Sequence, residues 1–321
     1  MPSCHSLTRF VNAFFDGFYP HVPVVHIPTF KLEDCTAEIL LAMAALGAQY
    51  RHEHRKGVLM FFASKAIFHG KVQDRQNRTI VQRTVSSDTQ TPQTRQTPGQ
   101  EEENTAYNEL MREARCAYYL IAFATWQREP EIVREAFNLT SFLARCIRES
   151  GLDESSEILQ HSANTTDWHA WVEQESHRRI KLFSFALLNL HSVAFNAPPM
   201  VLVDEIRLRL PSSCMEWLAP CREKWSMVRS LPGFQEQMML PDALAHVFEG
   251  VQPDSEPEPE PGPEPLPSMS PLANYILIHA LIQRILLMHR VFPQDHSLQS
   301  QKEDIRYVLA LIPSFYPSLA Q

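Results

Sequence analysis

Apolar residues in this chain recur at three- and four-residue steps, in blocks separated by prolines and polar runs. That period predicts helices. Phe10, Val11, Phe14, Phe15 and Phe18 give a first helix over 7–19, ended by Gly17 and Pro20. Pro20, Pro23 and Pro28 then forbid a helix and predict an extended arm lying over a core. Thr36 is the expected N-cap of a helix from Ala37 to Tyr50, whose apolar face is wide. A second helix follows over 57–71, with small residues among large ones. From 72 to 104 the apolar period is lost, which predicts a flexible polar linker.

The next helix runs over about 105–126, through Leu110, Ala114, Ala117, Tyr118, Ile121 and Trp126. Another covers 130–149, with Pro130 at its first position and Gly151 just past its end. The longest pattern begins after Asp167, a credible N-cap, and spans 168–195. Its stripe is Val172, Ser176, Ile180, Phe183, Leu187, Leu190 and Ala194. From Leu182 onward the other faces are apolar too, so that half is expected to be surrounded. Pro198 and Pro199 stop it, and 200–211 predicts an extended, packed connector. Two or three short helices are expected over 212–249, around Trp217, Trp225, Phe234, Leu244 and Phe248. The run 252–267 holds seven prolines, five acids and no base, the composition of an extended spacer. Ser270 and Pro271 then open an apolar helix to Val291, and a last helix is expected over about 298–311.

The fold class read from this is all-α, with little or no β structure. Residues 1–71 and 105–250 form two parts of one domain joined by the linker 72–104. An acidic proline-rich linker follows over 251–269, and C-terminal helices over 270–321.

Composition narrows the function. The net charge of −8 and the absence of a Lys/Arg stripe argue against a surface that grips duplex phosphates. The six cysteines are scattered, as reduced thiols in a cytosolic or nuclear protein would be. The first fifteen residues lack the basic and apolar regions of a signal peptide. The apolar run Leu182–Phe195 is too short to span a bilayer. No nucleophile elbow, phosphate loop, zinc-protease motif or Asp-rich metal pair is present. No catalytic residue, cofactor or metal ligand is therefore assigned. His21 and His26 have finger-like spacing, but only Cys4 precedes them and Pro23 lies between. His52 and His54 point about 200° apart on a helix and cannot share a metal. Asn189 and His191 read as satisfied core polars, with a ligand-cavity lining as the competing reading. Arg178, Arg179 and Lys181 are the candidates for contact with phosphate or a partner's acidic surface. Against that stands a solvated or salt-bridged face tied to Glu175.

Three stretches together resemble a known family. FFDGFYPHVPVVHIPTF with ILLAMAALGAQY, then AFATWQREPEIVREAFNLTSFLARCIRESGL, then DWHAWVEQESHRRIKLFSFALLNLHSVAFNAPPMVLVDEIRLRLP are similar to the fungal-specific transcription factor regulatory domain. SPLANYILIHALIQRI continues the likeness, which covers about 7–290. The subgroup it resembles carries C2H2 zinc fingers before this domain, whereas here Met1 lies six residues before the first matching helix. The resemblance implies an all-α regulatory domain in the nucleus, not an enzyme, acting on a metabolic or secondary-metabolite gene cluster. It implies transcription factors or co-regulators as partners, with DNA reached indirectly or through a missing finger. No membrane partner is implied, and a homodimer is a further option. The alternative reading is a helical metabolic enzyme or small-molecule-binding protein.

Overall fold

The computed structural model describes residues 2–88, 100–154, 167–249 and 269–291. Among them the regular structure is helical, and β pairing is limited to two isolated bridges, Asp153 with Arg207 and Arg209 with Met239. The all-α expectation holds. The chain divides into two compact units: Met1–Val24 with Phe30–Ser150, and Val25–Thr29 with Gly151–Gln321. The division falls after Ser150, between the helices Pro130–Glu149 and Trp168–Ala194.

Unit 1 is built on α2 (Ala37–Tyr50), which packs on α1 (Cys4–Ala13), α3 (His54–Asp88) and α4 (Gln100–Ala124); α5 (Pro130–Glu149) packs on α4. The small residues of α2 explain its central place. A Cβ on Gly47 would lie 1.8 Å from the Phe10 carbonyl oxygen, so α1 and α2 meet backbone to backbone there. After α1 the helix loosens into one π turn, Phe14–Phe18, which sets Phe14 and Phe18 edge-on against Tyr119. Thr36 stands at the N-cap of α2 but makes no cap bond; its hydroxyl donates to Glu38 Oε1 at 2.6 Å. Gly151 has φ +80°, the left-handed geometry that ends α5 after Ser150.

Two expectations in unit 1 are corrected. The helix expected to stop at 71 continues to Asp88, and the one expected from 105 begins at Gln100. Loss of an apolar period therefore does not end the helix over 72–88. Lys, Gln and Arg are good helix formers. In addition, Gln73 donates to Asn77 one turn on, and Arg75 makes a bidentate 2.7 Å contact with Glu113 of α4. Residues 89–99 lie outside the described residues. Trp126 falls beyond the end of α4 and is 63% exposed, off the face the spacing assigned it.

Unit 2 is organised on α6 (Trp168–Ala194), which Asp167 caps by accepting from His169 N–H at 3.1 Å. The connector after it is extended and packed as expected, burying Val201, Val203, Ile206, Leu208 and Leu210. Three short helices follow: α7 (Cys214–Trp217), α8 (Arg222–Arg229) and α9 (Leu240–Glu249). The last, α10 (Pro271–Val291), packs on α6; Ser270 Oγ caps it by accepting from Ala273 N–H at 3.1 Å. The proline-rich spacer and the helix expected over 298–311 lie outside the described residues.

Candidate functional site: the Glu175 cluster

The first half of α6 buries Trp168, Trp171 and Val172 against Trp217, Ala219 and Trp225. Beside this apolar layer the helix carries Glu175, Arg178 and Arg179, whose spacing puts them on one side. Glu175 and Arg179 are fully buried. Glu175 accepts from Arg178 Nη1 at 2.5 Å, Arg179 Nε at 2.7 Å, Ser212 N at 2.8 Å and Ser212 Oγ at 2.9 Å. Arg179 Nη2 donates in turn to the Ser212 carbonyl at 3.1 Å, and its guanidinium lies 4.0 Å over the Trp217 ring. Arg178 Nε reaches both oxygens of Glu154, at 3.0 and 3.1 Å. Lys181 Nζ donates to the Gly151 carbonyl at 2.8 Å.

The electrostatics follow from this depth. Burial drives the Glu175 carboxyl upward, but the Arg179 and Arg178 charges outweigh it and hold the group below the usual carboxylate range. Glu216 lacks so close a partner, its nearest cation being Arg229 at 3.9 Å. Burial, reinforced by the Glu175 charge, raises it to about 7. Lys181 falls to about 8 because burial outweighs the attraction of Glu154. His26 packs edge-on against Trp217 with ring centroids 4.9 Å apart, and its Nδ1 is 2.8 Å from Thr29 Oγ1. Burial lowers it to about 4, so the ring is neutral.

All three candidate cations thus point inward. The solvated face gives way to a salt-bridged interior: Arg178 and Lys181 are nearly buried, and Arg179 is wholly so. Their donors meet Glu175 on the helix itself, and Glu154, Ser212 and the Gly151 carbonyl from segments flanking α6 on both sides in sequence. The cluster fastens α6 to the chain end leaving α5 and to the start of α7. A cavity of about 30 Å³ beside Arg178, Glu216 and Gln237 has room for roughly one water, not for a metabolite. Among the described residues, no group of three or more His, Cys, Asp or Glu side chains is arranged to hold a metal ion. The partners Glu154 and Ser212 were missed in the sequence, because nothing in a separation of 24 to 37 residues announces a contact. The legible signal was the charge group Glu175, Arg178, Arg179 and Lys181 partway along a helix with a continuous apolar stripe.

Asn189 and His191 are buried, and Asn189 Nδ2 donates to the His279 carbonyl at 2.8 Å, as a satisfied core polar does. In unit 1 a cleft of about 260 Å³ is lined by Glu38, Lys71, Arg75, Arg112, Glu113 and Cys116. Two of its cations are committed to its own acids, Lys71 to Glu38 at 2.8 Å and Arg75 to Glu113 at 2.7 Å.

The model of the fungal specific transcription factor domain matches residues 11–98 and 116–306, most of both units. The chain belongs to this family. Zinc finger protein klf1 of Schizosaccharomyces pombe is similar to it, 37% identical over 73 residues, which are 22% of this chain and 8% of that relative. No solved structure matches. For this fungal transcription factor domain, the WHAWVEQESHRR stretch is thus explained by packing: the tryptophans build the apolar layer and the charges build the cluster beside it.

Proposed function

We propose that this chain regulates transcription in the nucleus, of genes in a metabolic or secondary-metabolite pathway, and does so through contacts with other transcription factors or co-regulators. The family match over most of the chain carries this reading. The inward turn of Arg178, Arg179 and Lys181 supports the indirect route, since cations committed to internal acceptors are not free to grip phosphate. DNA is then reached through a partner or through a finger domain.

Fusing the chain to a heterologous DNA-binding domain and measuring a reporter tests the reading directly. The expected result is altered reporter output, together with nuclear accumulation of a tagged chain and changed transcripts of a pathway on gene deletion. An inert fusion with an unchanged transcript profile would overturn it. The alternative of a small-molecule-binding protein draws on the cleft of unit 1. Tight, saturable binding of a pathway metabolite without any transcriptional effect would favour it.

A further inference from the structure

One acid in the core of unit 2 has no bonding partner. Glu216 is 3% exposed, held there by α7, whose N-cap Ser213 accepts from the Glu216 N–H at 3.2 Å. Its carboxyl oxygens take part in no hydrogen bond among the described residues, and the nearest cation, Arg229 Nε, stands at 3.9 Å, beyond hydrogen-bond reach. Glu175, in the same core, is held as an ion by four donors. A carboxylate buried without donors is disfavoured as an ion, so the surroundings of Glu216 suit the neutral acid.

Each neighbouring element bears on that proton. From α6, Glu175 opposes ionisation, while Arg178 and Arg179 favour it but are bonded to Glu175. The connector brings Arg209 and the segment after α8 brings Glu236, which face each other at 3.5 Å. His26, packed on Trp217, is neutral. Helix α8 brings Arg229, whose guanidinium lies 4.8 Å from the Trp225 ring centre and 5.7 Å from that of Phe234. Arg229 thus stands between two aromatic rings and an acid that it does not bond. The cavity of about 30 Å³ is lined by Glu216, Arg229 and Phe234 together, which leaves the side chains room to shift. Closing the gap to Glu216 takes a movement of about 1 Å, and it draws the cation away from the rings. Burial raises Glu216 to about 7, so its proton exchanges in the neutral range.

We propose that Glu216 and Arg229 form a proton-operated switch. While Glu216 holds its proton, Arg229 rests on Trp225 and Phe234; once the proton leaves, Arg229 closes on the carboxylate, and the segment 230–237 that carries Phe234 loosens. The switch is a property of the purified chain and stands or falls independently of its role in transcription. Hydrogen exchange of the whole chain, corrected for the intrinsic pH dependence of amide exchange, reads it. Exchange over 230–237 is expected to rise at least about threefold between about pH 6 and 8, with the steepness of one proton. Glu216→Gln mimics the neutral acid and is expected to keep the slow pattern at both pH values. Arg229→Ala removes the moving cation and is expected to give the fast pattern at both. Helical circular dichroism identifies a variant that fails to fold, and the other variant then carries the comparison. A wild-type chain without the step overturns the proposal. So does a step that survives in either folded variant, or two variants that exchange at the same level.

Discussion

The charged pairs of unit 1 ring an apolar core, whereas in unit 2 a carboxylate and two guanidiniums lie within the core itself. Lys65–Glu135 and Arg75–Glu113 are partly exposed, and Lys71, the partner of buried Glu38, is half in solvent. The centre of unit 1 is instead close-packed: the α2 alanines and Gly47 against α1, and Phe61 stacked on Phe123 at 5.1 Å. In unit 2 Glu175, Arg178 and Arg179 replace part of that apolar packing. Unit 1 is therefore sensitive to volume and unit 2 to charge. The same kind of residue has opposite weight in the two, because an unpaired charge costs little at the surface and much inside.

The largest effect is expected from Glu175→Gln, which strands Arg178 and Arg179 in the interior. Loss of one partner of a buried pair costs about 3–5 kcal/mol. Chemical denaturation followed by the tryptophans, four of which line unit 2, should report that loss; a change below about 1 kcal/mol would remove the contrast between the units.

Acidification should act on the same unit. Burial lowers His26, His191 and His279 to about 4 from an ordinary 6.5. A histidine with a depressed folded value gives its full stability above pH 6.5, and that stability is lost as the pH falls through about 4. Glu216, raised to about 7, works the other way: its contribution is complete below about 4.5 and is lost as the pH rises through 7. Three groups oppose one, so the denaturation midpoint of unit 2 should fall between pH 6.5 and 4. Glu216→Gln should steepen that fall by removing the opposing group.

Gly47→Ala tests the volume side. Its methyl would press on the Phe10 carbonyl, which is backbone and cannot swing away. Overpacking of this kind costs about 1–3 kcal/mol, and protection of α1 and α2 amides from hydrogen exchange should drop first. Lys65→Ala should be the mildest change. Its pair with Glu135, 2.6 Å long and partly exposed, is worth under about 1 kcal/mol, so its thermal midpoint should stay near that of the unmodified chain.

Periodicity and local punctuation located α2, α5, α6 and α10 to within a residue or two, because their apolar faces, the start at Pro130 and the stops at Gly151 and Pro198 are written locally. It also placed the extended connector after α6. The end of α3 and the start of α4 were not legible, since a polar helix and a polar coil share a composition. Nor was the depth of Arg178, Arg179 and Lys181. Sequence put these charges on one helix beside Glu175. Only the tertiary structure brought Ser212, Glu154 and the Gly151 carbonyl around them, across 24 to 33 residues of chain. A charge can enter a core only when distant groups arrive together to replace its water, and that arrival is decided by packing rather than by any local pattern.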